Sequence, residues 1–173
     1  MEVDNLFTVD KTSVLRKCSP PDVEEIYGIE KLSFKPDDIY SVELLKFLCS
    51  FCSDHSYVYV SNGDVVGYII TCIEGNAAHV ISIAVHPEHR QRGVGAALLC
   101  TALKLLTEGQ VSEVFLEVRV TNEPALRLYK SAGFEVKERL PAYYSDGEDG
   151  YRLVLRDKRK AQEFCSKEPH HQL

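Results

Sequence analysis

Arg90-Gln91-Arg92-Gly93-Val94-Gly95-Ala96 combines two arginines with two glycines, a composition suited to holding a phosphate. Where such a turn opens a helix, unpaired backbone N–H groups and the positive end of the helix dipole attract an anion. Gly93 and Gly95 would let the backbone come close to a pyrophosphate, and the arginines add charge. Two better-known phosphate loops are excluded. Gly-x-x-x-x-Gly-Lys-Ser/Thr is absent, and Gly93-Val94-Gly95 is followed at 98 by leucine where a dinucleotide fingerprint needs glycine. From spacing alone, Glu117 reads as half of an ion pair with Arg119 two residues on, His79 as a strand-end histidine facing solvent and Tyr129 as core packing, although a carboxylate or imidazole can take a proton and a phenol with pKa near ~10 can give one.

The elements that must position these groups follow from periodicity. His79-Val80-Ile81-Ser82-Ile83-Ala84-Val85 alternates and is β-branched, so it predicts a strand before the turn. Ala96 to Leu106 has helical period and strong helix formers after it. Glu113 to Val120 alternates as another strand, with Glu117 sharing a face with Phe115 and Arg119. A helix over Glu123 to Ala132 starts through Pro124 and stops at Gly133. Upstream, a strand over Ser13 to Lys17 leads to the helix-start signal Ser19-Pro20-Pro21-Asp22, and a second helix begins near Ser41. Tyr57–Val60 and Val65–Ile70 predict a hairpin on Asn62-Gly63, while Phe134–Arg139 and Gly150–Leu155 predict two last strands. The order is β-α-α-β-β-β-α-β-α-β-β, a mixed sheet flanked by helices in one α/β domain. Residues 1–11 read as a loose arm, and 157–173 as a charged, aperiodic and mobile tail outside a domain spanning 1–156.

The chain has 173 residues, 45% hydrophobic, enough for a sizeable core. Its 20 basic and 26 acidic residues give a net charge of −6, which argues against a nucleic-acid partner and fits a cationic substrate. Neither a membrane span nor a signal peptide is expected. Cys18, Cys49, Cys52, Cys72, Cys100 and Cys165 fall mostly within predicted strands and helices, which predicts free buried thiols in a reducing cytoplasm. Cys49-x-x-Cys52 with His55 has metal-like spacing, but no second pair completes a four-ligand site, so packing is the favoured reading and no metal is expected.

The pattern Arg/Gln-x-x-Gly-x-Gly/Ala over Arg90 to Gly95 resembles the acyl-CoA pyrophosphate loop of the GNAT N-acetyltransferases, and the element order is also theirs. Asn122, Ala125 and Tyr129 resemble the family's Asn-x-x-Ala-x-x-x-Tyr. With His79–Val85 and Tyr143–Tyr151, the likeness extends over roughly residues 12–156 to the protein N-terminal acetyltransferases, the RimI-like group and archaeal NatA-type catalytic subunits. The resemblance implies a mostly antiparallel sheet of about seven strands flanked by about four helices. It implies acetyl-CoA as cofactor, held by Ile83, Ala84, Val85, residues 90–96, Asn122, Ala125 and Tyr129. It also implies Glu117 as leading base, Tyr129 as acid and His79 as a second base candidate. The loop Phe34-Lys35-Pro36-Asp37-Asp38-Ile39-Tyr40 aligns with the family's substrate loop, with Asp37 where the NatA type carries glutamate. Phe34, Pro36, Asp37, Tyr40, Tyr143 and Tyr144 are thus the expected substrate contacts, and Asp146, Glu148 and Asp149 offer negative charge to a cationic amine.

An α-amine attacks a thioester only when neutral, as roughly 10–20% of it is near pH 7, against about 0.04% of a lysine. The expected function is therefore direct acetyl transfer to protein N-termini with general base and acid help. Nascent chains at the ribosome and an auxiliary subunit are conceivable partners. A GNAT enzyme acting on small amines or protein lysines, and a non-catalytic acyl-CoA-binding module, stay open as alternatives.

Overall fold

A computed structural model describes residues 12–168. Seven strands form one sheet in the order β1-β2-β3-β4-β5-β7-β6. They are β1 (Ser13–Lys17), β2 (Tyr57–Ser61), β3 (Asp64–Glu74), β4 (Ala77–Val85), β5 (Glu113–Arg119), β6 (Glu135–Leu140) and β7 (Gly150–Leu155). Every neighbouring pair is antiparallel except β4 and β5. The helices are α1 (Val23–Ser33), α2 (Val42–Phe51), α3 (Val94–Thr107), α4 (Glu123–Ala132) and α5 (Lys158–Ser166).

Alternation along the central strands builds two cores. Val114, Leu116 and Val118 of β5 pack with Leu98, Leu99, Leu103 and Leu106 of α3 on one face. Val23, Ile26 and Ile29 of α1 and Leu45 and Cys49 of α2 pack on Val58, Tyr68 and Ile70 on the other. The helix starts expected from the sequence are present. Ser19 forms a capping box with Asp22 ahead of α1, and Ser41 Oγ accepts from Leu44 N at 3.2 Å ahead of α2.

Parallel β4 and β5 pair only over Ala77–His79 and Glu113–Phe115. β4 continues to Val85 and β5 to Arg119 without further pairing between them, so the strands diverge into a cleft. A bulge sits at the same place. Ile70 pairs Ser82 but Thr71 pairs Val80, which leaves Ile81 as an extra residue on β4. Ala78 and Val80 consequently belong to the α3-side core, while Ile81 and Ala84 pack on the α1 side.

Two expectations are corrected. The segment from Asp157 is not an aperiodic tail within the described residues. Asp157 caps α5 through Arg159 N, Ala161 is fully buried, and Phe164 and Cys165 pack against the α3-side core. The alternation of charged residues with Ala161, Phe164 and Cys165 is a short amphipathic helix, which makes the helices five. The cysteines are not free thiols: Cys18–Cys49, Cys52–Cys72 and Cys100–Cys165 are disulfides with Cα separations of 5.8, 5.2 and 5.8 Å. They join partners 31, 20 and 65 positions apart, distances in sequence that no local spacing reveals. The inference of a reducing compartment from cysteine usage therefore lapses. The arm expected over residues 1–11 lies outside the described residues. Among the described residues no helix is long and apolar enough to cross a membrane.

Candidate active site

Sheet register lines up a row of polar side chains across one face. Cys72 of β3 lies opposite His79 of β4, so Glu74, two residues on, shares the face of His79. His79 pairs with Phe115 of β5, and Glu117 follows two residues later. Glu117 faces Arg152 of β7, which in turn faces Glu138 of β6. The side chains meet accordingly. His79 Nδ1 is 2.8 Å from Glu74 Oε1, and its Nε2 is 2.7 Å from Glu117 Oε2. Arg152 donates from Nε and Nη2 to Glu117 Oε1 at 3.2 and 3.1 Å. The imidazole stacks on the Phe115 ring at 4.3 Å.

Glu117 is thus in an ion pair, but with Arg152 across the sheet and not with Arg119 along its own strand. Burial raises the Glu117 pKa, and the hydrogen bonds and charges of His79 and Arg152 more than reverse this, holding it below the usual glutamate value. For His79 burial pulls the pKa down, yet the carboxylates of Glu117 and Glu74 outweigh it and the net direction is up. The pair is one coupled site in which His79 is the stronger proton acceptor.

Two adjoining clefts meet at Asn122, Ala125 and Tyr129. The first, about 220 Å³, is lined by Phe34, Tyr40, His79, Glu117, Tyr143 and Tyr144, among others. The second, about 600 Å³, is lined by Ile83, Ala84, Val85, Arg90, Gln91 and Gly93–Ala96. Gly93 is the left-handed cap of α3 (φ 83°), a conformation glycine adopts without strain, and the helix geometry leaves the first N–H groups without intrahelical partners. That cradle fits a pyrophosphate. Arg90 is spent partly on structure, donating to Val85 O at 2.9 Å and Ser33 Oγ at 3.1 Å. Arg92 is exposed and lines neither cleft. Asn122 Oδ1 caps α4 by accepting from Ala125 N at 3.3 Å. Tyr129 is buried against Phe134, and burial pushes its phenol well above 10.

The substrate loops differ from expectation in detail. Pro36 and Asp37 are exposed and line neither cleft, whereas Asp38 does. Asp38 Oδ2 accepts from Arg119 Nε at 3.0 Å. Arg119 Nη1 also reaches Asp146 at 3.0 Å and Glu148 at 2.6 Å, and its guanidinium lies 4.1 Å from the Tyr144 ring centre. Lys35 reaches Asp146 at 2.7 Å. Asp149 is held by Arg139 at 2.8 Å and by Ala142 N at 2.8 Å. The three acidic residues of this turn are therefore each engaged in an ion pair within the fold. Asp146 and Glu148, through Lys35 and Arg119, fasten the β6–β7 turn to the α1–α2 loop. Gly150 lets Tyr143 and Tyr144 fold back, since a Cβ there would come within 3.2 Å of both rings.

Glu30 gave no sign of itself in sequence beyond lying on α1. It is fully buried, accepting from Ser82 Oγ at 2.9 Å, from Tyr40 N at 3.2 Å and from the Tyr68 hydroxyl. It ties the substrate loop to the β4 bulge, and burial raises its pKa.

Comparison with known proteins identifies relatives of the chain as a whole. The Acetyltransferase (GNAT) family profile matches residues 22–134. A protein of Sulfurisphaera tokodaii named N-alpha-acetyltransferase is 38% identical over 81% of this chain and 90% of its own length. A putative [ribosomal protein bS18]-alanine N-acetyltransferase of Bacillus subtilis is 33% identical over 79% of this chain and 91% of its own. The crystal structure of Ard1 from Thermoplasma volcanium superposes with a TM-score of 0.78 at 34% identity, covering 83% of this chain and 97% of that one.

Proposed function

The chain belongs to the GNAT acetyltransferase family, and from that premise we propose that it transfers the acetyl group of acetyl-CoA to the N-terminal α-amino group of protein chains. The observation that carries this reading is the His79–Glu117 pair on the floor of a tyrosine-lined cleft that opens, past Tyr129, onto the phosphate cradle of α3.

Acetyl-CoA supplies an acetyl group activated as a thioester. Gly93 to Ala96 would hold its pyrophosphate through backbone N–H groups, and the stretch of β4 that is not paired with β5 would offer further backbone N–H groups to a carbonyl oxygen. Phe34, Tyr40, Tyr143 and Tyr144 grip the first residues of the peptide, with Asp38 and Arg119 closing the two loops around them. Glu117 and His79 take the proton that the α-amine must lose. One modest base is enough for an amine of pKa ≈ 7.7–8.0. Tyr129, its phenol kept protonated by burial, donates a hydrogen bond or proton to the departing sulfur.

Nascent chains, whether met at the ribosome or presented by an auxiliary subunit, are the source of N-termini in this reading, and the cytoplasm is the compartment where they are made.

The test is acetyl transfer to short peptides differing in their first two residues, beside copies with a blocked N-terminus and an internal lysine, and spermidine. Activity confined to free α-amines is expected. Activity only on spermidine or blocked lysine peptides would leave the fold and cofactor standing and sink the substrate class.

A further inference from the structure

His79 has a second carboxylate that the reaction as described does not use. Glu74 stands at the end of β3, with its side chain 54% exposed, while His79 is 18% and Glu117 10% exposed. The three form a line from solvent to the cleft: Glu74 Oε1 at 2.8 Å from Nδ1, and Glu117 Oε2 at 2.7 Å from Nε2. Stacking on Phe115 fixes the plane of the ring between them.

Resting on the functional reading above, we propose that Glu74 is a positioning residue that holds the Nδ1–H of His79, so that Nε2 is the ring atom that receives, by way of Glu117, the proton drawn from the substrate amine. A neutral imidazole carries one proton on either nitrogen, and the partner of the other nitrogen decides which. With Nδ1–H given to Glu74, Nε2 is the nitrogen left to share a proton with Glu117 Oε2, 2.7 Å away. When the α-ammonium is deprotonated, its N–H bond breaks, the proton passes to Glu117, and Nε2 takes it up while still donating it to Oε2. The imidazolium so formed is flanked by two carboxylates, which offset its charge. Its return to the neutral ring releases one proton to water, and Glu74 is the member of the line in contact with solvent.

The charged groups facing this ring are few. Glu74 approaches from β3 and Glu117 from β5, with Arg152 of β7 behind Glu117. Tyr40 and Tyr143 face Glu117 from the two loops. Cys72, opposite His79, is in a disulfide and does not titrate. Of the carboxylates touching the ring, Glu74 is the one whose removal leaves the cleft intact.

The experiment follows the His79 ring protons by NMR across pH in wild type and Glu74→Ala, together with the pH profile of kcat. Loss of Glu74 should move the His79 midpoint down by about half a unit or more, as loss of a neighbouring opposite charge requires. The plateau kcat should fall ~10-fold or more, as loss of an orienting partner does elsewhere. The acetyl-CoA KM should hold, and so should the melting temperature at pH values above the His79 midpoint, where the raised pKa contributes no stability. Glu74→Gln, whose carbonyl can still accept Nδ1–H, should recover part of the rate while the midpoint stays low. An unchanged midpoint and unchanged kcat in Glu74→Ala would overturn the inference. The titration needs no substrate, so a wild-type enzyme inactive on every α-amine would sink the functional reading and leave Glu74 to be judged on the midpoint.

Discussion

The carboxylate of Asp38 and the guanidinium of Arg119 meet at 3.0 Å across 81 positions of sequence. Arg119 spends its remaining donors on Asp146 and Glu148, so one side chain on β5 fastens both loops that border the peptide cleft. Its exposure is 13%, which shields these pairs from solvent more than an ordinary surface bridge. The guanidinium is raised despite partial burial because Asp38, Asp146 and Glu148 all stabilise its charge.

Arg119→Gln should therefore release both loops. We expect the peptide KM to rise roughly 10-fold or more while the acetyl-CoA KM stays within about two-fold, since the phosphate cradle is built on other elements. In wild type, raising salt should raise the peptide KM and should do so less in the variant. Steady-state kinetics with each substrate varied in turn checks both.

Glu117→Gln keeps the size and one acceptor for Arg152 but removes the carboxylate shared with His79. A kcat lower by ~10–1000-fold with unchanged acetyl-CoA binding is expected, as loss of general-base assistance predicts. Full activity would transfer the role to His79 acting alone or through water.

Tyr129→Phe deletes one oxygen from a buried ring packed on Phe134. The fold should tolerate it, and kcat should fall ~10-fold or more if the phenol assists departure of the sulfur. Rates that match wild type at unchanged melting temperature would reduce Tyr129 to packing.

The raised pKa of His79 has opposite effects on activity and stability. Imidazolium cannot accept a proton, so the acid limb of kcat/KM should be centred above the usual ~6.5 of histidine. Stability runs the other way. A group whose folded pKa lies above its unfolded value stabilises the fold fully below the unfolded value and loses that contribution as pH rises through the folded one. Melting temperatures of wild type and His79→Asn should converge as pH climbs through that window, as activity in wild type rises.

Cys100→Ser should lower stability by about 2–5 kcal/mol, because the Cys100–Cys165 bridge closes a long loop and fastens α5 to α3. Chemical denaturation under oxidising conditions checks this. Equal midpoints for variant and oxidised wild type would show that α5 holds by packing alone.

Local patterns were legible wherever one element decided the outcome. Gly93 as the opening of a helix, Gly133 as the end of another and alternation in β4 and β5 are all short-range consequences of backbone sterics and one-sided burial. Glu117 was legible as a group on the polar face of its strand. Its partner was not: Arg119 is the near arginine in sequence, and Arg152 is the near one in space because β7 lies beside β5. Asp37 and Asp38 are alike as letters, and only the path of the loop sends one to Arg119 and the other to solvent. The charged residues after Asp157 look solvated until α3 supplies the surface that their few apolar neighbours cover.

By itself, then, the chain's sequence determined the strands and helices, the phosphate-binding turn and the residue types able to move a proton, because periodicity and turn chemistry act within a few residues. Tertiary structure alone decided the pairing of six cysteines, the ionic fastening of the two loops by Arg119, the burial of Glu30 and the row from Glu74 through His79 to Glu117. Each of these joins groups on separate elements, and such distances are set by strand order and register, not by any spacing along the chain.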